Sequence, residues 1–309
     1  MKVNIIVLNY NGETLVPECI PSIIAAKHAS QYQVNITVID NESTDRSLEA
    51  LGRFGSEIKV VKHKNEVFCS YYDIVKDQPE EIAVLLNNDM KVDPGFIDPM
   101  VKVFESKEDA FLAAPKCYNY DGTALEGGRS KGFIKFGWFG ALARYPGWEE
   151  ELDRPDHTFQ SGFGAVRKDR FLALGGYPRL YLPGRLEDSD ICFRAWKRGW
   201  ACYYEPASVV YHKGGESFKK AFGVKGISAI DSRNSLLFFW KNISYWKYWL
   251  MHVLFLPLRL ARWAARGETG AVKGCFEAFT RIPDVLKARA AEKKTRCARS
   301  DREIFGMFR

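Results

Sequence analysis

Four apolar runs mark the first 120 residues, and each ends in polar or turn-forming side chains: VNIIVLNY (3–10), VNITVID (34–40), IKVVKH (58–63) and EIAVLLNN (81–88). Their length and β-branched content predict strands. Between the first two lies an amphipathic stretch of helical length, Thr14 to Lys27. Ser43 to Gly52 reads as a second helix, with Ser43 or Thr44 as its cap and Glu49 in its body. Near-continuous apolar strands separated by helices predict a parallel sheet covered on both faces. Ligands of such sheets sit at the carboxyl ends of the strands. Asn9–Asn11, Asp40–Asn41 and Asn87–Asp89 all fall at those ends.

Residues 120–160 are rich in glycine and aromatics without a period, which predicts a loop-dominated segment ordered by a ligand. From Phe159 the pattern gives a strand and then a short helix closing at Gly175–Gly176. LEDSDICFRAWKRGW reads as a helix with Ile191, Ala195 and Trp196 on one face and Gly199 at its end. ACYYEPASVVYH reads as two short strands ending in His212. Beyond Asp231, leucines and aromatics interleave with Lys and Arg. The uninterrupted apolar part, Trp249 to Leu258, is well short of the ~20 residues of a spanning helix. Two readings stay open there: a helix packed on the core, or an amphipathic helix lying in a membrane interface. Residues 287–309 are charged, helical in propensity and expected to fray.

Composition adds one asymmetry. The chain has 309 residues, 46% hydrophobic and 27% charged, which suits a soluble globular protein. Its net charge of +7 sits at one end. Residues 241–309 hold 15 Lys and Arg against 6 Asp and Glu, leaving 30 against 32 for the rest. An anionic membrane surface is the partner expected for 241–309, and nucleic acid is not. Seven scattered cysteines with no CxxC pair argue against a zinc ribbon or a disulfide framework and for a reducing compartment. The apolar run at the N-terminus is too short for a secretory signal, so a cytoplasmic location is expected, peripheral on the inner membrane face.

Three places carry candidate chemistry. Asp89, a strand-end acid beside Asn87 and Asn88, suits a hard divalent cation that in turn holds a diphosphate, although Asn-Asp turns are common after strands. Glu187, Asp188 and Asp190 crowd a helix start. The helix dipole alone would favour them there, but a carboxylate in such a place also serves as a general base towards an alcohol. His212 ends the last strand before Gly214–Gly215, where a flexible backbone can wrap a phosphate.

The motifs IIVLNYNG, VIDNESTDRS, LLNNDMKVDPGFI, GAVRKDRFLALGGY, EDSDICFRAWKRGW and EPASVVYHKGGES occur in the order and spacing of family-2 glycosyltransferases. The chain resembles the non-processive, rhamnosyltransferase-like members over about residues 3–217. The resemblance implies a GT-A fold, an α/β Rossmann-like and mostly parallel sheet with helices on both faces. It implies a nucleotide-sugar donor, a divalent metal (Mg2+ or Mn2+) and inversion at the anomeric carbon. By the same resemblance Asn9, Tyr10, Asn11, Asp40 and Asn41 lie by the base and ribose. Asn65, Asn87 and Asn88 join the nucleotide site, Asp89 and His212 hold the metal, and Asp188 is the base with Glu187 and Asp190 in support. The acceptor is a glycan or a lipid-linked saccharide, and dTDP-rhamnose or a UDP-sugar is the donor.

The departures are local. Val67 stands where the family has glycine, Asp73 where asparagine is common, and Asn87 replaces the first acid of the Asp-x-Asp motif. Processive synthases carry Gln-x-x-Arg-Trp, which this chain lacks, so addition of one or a few sugars is expected. A sugar nucleotidyltransferase would need a glycine-rich turn after the first strand, and NYNGETL offers one glycine. A non-catalytic nucleotide-sugar-binding paralogue would not need Asp89, Asp188 and His212 together. The expected layout is a glycosyltransferase domain over 1–230, with 1–120 as its nucleotide half and 121–230 as its acceptor half, and a basic helical region over 231–309.

Overall fold

A computed structural model describes the backbone of residues 1–309 and every side chain except those of Glu216 and Ser217. The chain divides into two compact units. One contains residues 1–130, 143–177 and 200–214, and the other contains 131–142, 178–199 and 215–309.

The first unit opens with β1 (Lys2–Asn9), α1 (Val16–Ala29), β2 (Gln33–Asp40), α2 (Ser47–Gly52), β3 (Lys59–Lys62), α3 (Tyr71–Asp77) and β4 (Ile82–Asn87). It continues through β5 (Met90–Val92), α4 (Ile97–Ser106), β6 (Ala110–Asn119) and β7 (Leu125–Gly127). A hairpin of β8 (Lys131–Lys135) and β9 (Trp138–Leu142) belongs to the second unit. Next come α5 (Trp148–Glu151), β10 (Asp156–His157), β11 (Gly164–Arg167) and α6 (Lys168–Ala173). After α7 (Glu187–Lys197) of the second unit, β12 (Ala201–His212) completes the sheet.

The sheet runs β10-β12-β6-β11-β4-β1-β2-β3, with β5 added to β12 and β7 to β6. β3, β2, β1 and β4 are parallel, and β11 inserts antiparallel between β4 and β6. β1 and β4 are apolar on both faces because both faces are covered: Val3, Ile5, Ile6, Val7 and Ile82 to Leu86 are all buried. α1 starts two residues later than the pattern predicts and buries Val16, Cys19, Ile20, Ile23 and Ala26. The register places Asn9 opposite Asp40 and Leu8 opposite Asn87, so three polar clusters arrive at one edge of the sheet.

Three expectations change in this unit. α2 begins at Ser47, not near Ser43, because the Ser43 and Thr44 groups bond to the loop after β1 instead of capping a helix. Segment 120–160 holds strands as well as loops. β12 is one strand, not two. Its register shifts between Glu205 and Val209, around Pro206, are what the sequence pattern registers as a break.

The second unit is helical around the β8–β9 hairpin. It contains α7 and then α8 (Glu216–Asn242), α9 (Trp246–Ala265), α10 (Thr269–Thr280), α11 (Ile282–Lys293) and α12 (Asp301–Gly306). Its core stacks Phe139 on Phe238 at 3.9 Å and Phe193 on Phe305 at 5.5 Å. α10 lies close along α8: a Cβ added at Gly274 would fall 2.0 Å from the Ala229 carbonyl oxygen. Buried His252 of α9 reaches the hairpin turn, with Nδ1 2.7 Å from the Gly137 carbonyl oxygen, while its Nε2 accepts from Trp240 at 2.9 Å. The expected fraying of 287–309 is overturned. α12 has a complete capping box between Ser300 and Glu303, and Asp301, Ile304, Phe305 and Phe308 are buried. No helix among the described residues is long and apolar enough to cross a membrane.

Candidate active site

At the carboxyl edge of the parallel strands, one buried amide ties three chain segments. Asn9 donates from Nδ2 to Asp40 Oδ1 (3.0 Å) and to Ser43 Oγ (3.2 Å), and its Oδ1 accepts from Asn88 Nδ2 (2.8 Å). Asp40 Oδ2 accepts from the Ser43 amide at 3.3 Å. A Cβ at Gly12 would lie 2.2 Å from Asn88 Nδ2 and 2.4 Å from Asn9 Oδ1, so only glycine leaves room for this knot. Asn9 and Asp40 are therefore consumed by each other. Half-exposed Tyr10 stands beside them. Asn11, in the left-handed region at φ 49°, turns its Oδ1 to the Thr44 amide at 2.8 Å.

Asn41 differs from its neighbour. Its Nδ2 donates to the Val67 carbonyl at 3.2 Å, while its Oδ1 is buried without a hydrogen-bond partner. Asn65 accepts from the Val67 amide through Oδ1 at 3.1 Å. Val67 sits at φ 54°, a conformation that costs a β-branched residue about 1–3 kcal/mol and that glycine adopts freely. The loop keeps the shape glycine would give it, held from both sides by Asn41 and Asn65. Asn87 Oδ1 accepts from the Tyr71 hydroxyl at 3.3 Å, which ties it to α3.

Past β4, Asp89 meets β12. His212 Nε2 lies 3.5 Å from Asp89 Oδ2, and the other ring nitrogen, Nδ1, lies 3.1 Å from Glu126 Oε1. Ligand-type atoms of Cys117, Glu126 and His212 all fall within 4.8 Å of one another. Asp89 Oδ1 and Glu126 Oε2 are both buried without a hydrogen-bond partner. Two orphaned carboxylate oxygens flanking one imidazole fit a divalent cation, since burial without a partner is costly for such atoms. Burial pushes the His212 imidazolium down, but Asp89 and Glu126 more than offset this and raise it above its ordinary value. Burial and the same two acids push the Cys117 thiol up, so it stays protonated and is the poorest donor of the four.

The second unit presents the acidic helix start. Arg185 (φ 76°) and Leu186 (φ 70°) hold left-handed conformations just before α7. That strain is fastened by Asn234, whose Nδ2 donates to the carbonyls of Tyr181, Gly184 and Arg185 at 3.1, 2.8 and 2.9 Å. The result fixes Glu187 and Asp188 in the first turn of α7. Burial, and then the neighbouring Asp188, push Glu187 up to about 8, and its Oε2 is buried without a hydrogen-bond partner. Burial raises Asp188 as well, against the Ser189 amide that donates to it at 2.7 Å.

Asp190 occupies different surroundings. It is fully buried and accepts from Lys241 Nζ (2.7 Å), Arg194 Nε (2.6 Å), Tyr181 Oη (2.8 Å) and Asn242 Nδ2 (2.7 Å). Burial opposes its charge, yet Lys241 and Arg194 hold its carboxyl well below the usual range. Both oxygens are occupied, so Asp190 anchors α7 to α8 and is closed to a substrate.

Four contributors lie outside the sequence expectations: Gly12, Ser43, Cys117 and Glu126. Gly12 stood inside a recognised motif without a predicted role, and Ser43 was expected only as a helix cap. Glu126 reaches His212 from 86 residues away within a glycine-rich segment, and no local pattern marks it.

Comparison with curated proteins finds no match. Among solved structures, S. aureus TarS 1-349 in complex with UDP-GlcNAc shares 12% identity at a TM-score of 0.56, covering 95% of this chain and 91% of that one. GalNAc-T7 with UDP, GalNAc and Mn2+ gives 16% and 0.55, covering 68% of this chain. This chain spans only 43% of GalNAc-T7. The mannosyltransferase PcManGT from Pyrobaculum calidifontis, in complex with GDP-Man and Mn2+, gives 15% and 0.50, covering 94% and 73%. These likenesses establish the GT-A fold. The model of glycosyl transferase family 2 matches residues 4–160, half of the 309 residues, and the chain belongs to that family.

Proposed function

We propose that this protein transfers a sugar, with inversion, from a nucleotide-sugar donor to a hydroxyl of a glycan or lipid-linked saccharide. The observation that carries the reading is the pair of orphaned buried oxygens, Asp89 Oδ1 and Glu126 Oε2, around His212 at the carboxyl edge of a nucleotide-binding sheet. Asp89 and His212 would hold a divalent cation, Mg2+ or Mn2+, with Glu126 fixing the imidazole through Nδ1. When bound, such an ion neutralises the charge of a diphosphate. Three proteins of this fold were solved with UDP, UDP-GlcNAc or GDP-Man, which supports a nucleoside-diphosphate sugar as donor. dTDP-rhamnose or a UDP-sugar is our reading for this chain. Asn41, Tyr10 and Asn65 line the nucleotide, while Asn9, Asp40 and Asn88 hold the strand ends that carry them.

Asp188 is the base in this reading. The acceptor oxygen forms its bond to the anomeric carbon as the bond to the donor phosphate breaks. The nucleoside diphosphate leaves with the electron pair, and the hydroxyl proton passes to Asp188. Glu187, protonated beside it, leaves Asp188 as the ionised member of the pair.

The exposed face of α9 gives the protein a membrane side. Trp246, Leu250, Val253, Leu254 and Leu258 are all exposed on it, and α9 contains no acidic residue. Lys247 and Arg262 supply positive charge on the same face. An apolar stripe with a basic fringe suits peripheral attachment to the anionic inner face of a membrane.

Asp188→Asn should lower kcat by about 10^2–10^4 while nucleotide-sugar affinity stays within about twofold. Turnover near the wild-type rate in a single-turnover assay would remove Asp188 as the base. Asp89→Ala should abolish Mn2+ binding followed by electron paramagnetic resonance, and Glu126→Gln should weaken it by about 10–100-fold. Unchanged Mn2+ titrations in both variants would refute the metal assignment.

Glu187 allows a test by pH. The unfolded chain ionises it near 4.5 and the folded chain near 8, so folding is opposed progressively between those values and fully above 8. Glu187→Gln should therefore gain little at pH 5 and raise Tm by at least about 2 °C at pH 8.5. Equal Tm shifts at both pH values would contradict a buried, proton-holding Glu187. For the membrane side, Leu250→Asp with Leu254→Asp should cut sedimentation with phosphatidylglycerol vesicles at least about fivefold, since each change removes exposed apolar area that adsorption would bury. Undiminished sedimentation would exclude α9 as the contact.

A further inference from the structure

The second unit contains a cavity of about 450 Å3 whose wall comes from the end of α7, the α8–α9 junction, α11 and the segment leading to α12. Seven of its lining residues are Lys or Arg, and the lining acids are Glu292 and Asp301. Counting Asp190 behind Lys241 as a third acid, seven cations face three anions, a formal excess of four positive charges in a space of ligand size.

The acids are already committed. Glu292 faces Arg194 and Arg198, each at 3.4 Å. Asp301 takes Lys197 Nζ at 2.5 Å and the amides of Ser244 and Tyr245 at 2.5 and 2.8 Å. Arg289, Lys293 and Arg296 have no carboxylate partner among the described residues. Arg289 is nonetheless fixed, donating from Nη1 to the Trp240 carbonyl at 2.6 Å and lying over the Trp249 ring. Asp301 is the acid nearest to it, but that carboxylate is already engaged by Lys197 and two backbone amides. A cation held in place by backbone carbonyls and an aromatic face, with no carboxylate bonded to it, is preorganised for an anion brought from outside.

We propose that this cavity binds a phosphate-bearing ligand, with Arg289, Lys293 and Arg296 as its contacts. The charge excess matches a diphosphate or a phosphate monoester better than a single carboxylate, and guanidinium forks suit phosphate oxygens. Two sources offer that chemistry: a soluble diphosphate, or the phosphate headgroup of an amphiphile. The second is favoured by position, because the wall at Ser244 and Tyr245 runs directly into α9. The site is separate from the nucleotide site of the first unit and does not depend on the function proposed for it.

The test is isothermal titration of the full chain with inorganic pyrophosphate in metal-free buffer, so that the Asp89–His212 site does not contribute. Lys293 and Arg296 are exposed and make no ion pair among the described residues, so the double variant Lys293→Glu, Arg296→Glu should keep the wild-type Tm. Its pyrophosphate Kd should rise at least tenfold. Absence of saturable binding to the wild type, or equal Kd in the double variant, would overturn the site. Affinity for UDP-GlcNAc with Mn2+, measured in parallel, should be the same in both proteins. Loss of that binding in both would count against the donor reading and leave the cavity untouched. Vesicles of phosphatidylcholine with phosphatidic acid, compared with phosphatidylcholine alone, separate the two sources. At least fivefold weaker pyrophosphate binding in their presence supports the headgroup, and unchanged binding supports a soluble diphosphate.

Discussion

The hydrogen bonds of the Asn9 side chain are the constraint on which the first unit turns. A fully buried amide must find partners for both its donor and its acceptor, and Asn9 finds them on two other segments, Asp40 with Ser43 and then Asn88. The ends of three neighbouring strands are thereby fixed to one another at the sheet edge. Asn41 and Asp89, each next to a member of this knot, inherit its positional accuracy. Strand pairing alone sets register along the sheet, but the knot sets it at the end where a ligand would sit. Gly12 is part of the same constraint, since any Cβ at that position would occupy the space of the Asn9 and Asn88 side chains.

The second unit solves an analogous problem with charge. Asp190, Lys241 and Arg194 are all buried, and removing Asp190 would take the shared carboxylate from two buried cations at once. That cluster fastens α7, so the strained Arg185–Leu186 turn before it has a rigid body to pull against. Glu187 and Asp188 are thus raised by desolvation in a place that is structurally over-determined. Burial also lowers Lys241 to about 8, even beside Asp190, a sign of how closed the cluster is to water.

The parallel strands were legible in the sequence because double burial leaves unbroken apolar runs, and their polar ends were legible by contrast. The family resemblance then supplied most of the candidate site residues. Elsewhere, local pattern lost to distant partners. Ser43 has the chemistry of a helix cap, yet Asn9 and the Asn11 amide claim its hydroxyl. Asp190 shares a motif with Asp188, but its helical phase turns it towards Arg194, one turn on, and into the core. Glu126 acts only through a contact formed by strand pairing between β6 and β7, which no window of sequence reveals. The capping box at Ser300 and Glu303 was present in the letters, but the density of charge around it suggested fraying. Asp301 decides otherwise by capping the chain at Ser244 and Tyr245.

The bond from His252 to the turn at Gly137 bears on how α9 would meet a surface. With a Cβ at Gly137 only 2.2 Å from the His252 amide nitrogen, hairpin and helix are in backbone contact, and the imidazole is pinned between Gly137 and Trp240. Most interfacial helices are coil in water and gain much of their affinity by folding as they adsorb. α9 is already a helix fastened along its inner face, so adsorption costs it no conformational entropy and also yields no folding energy. Its partitioning would follow exposed area and charge alone, with little of the change in circular dichroism that marks a peptide folding on a bilayer.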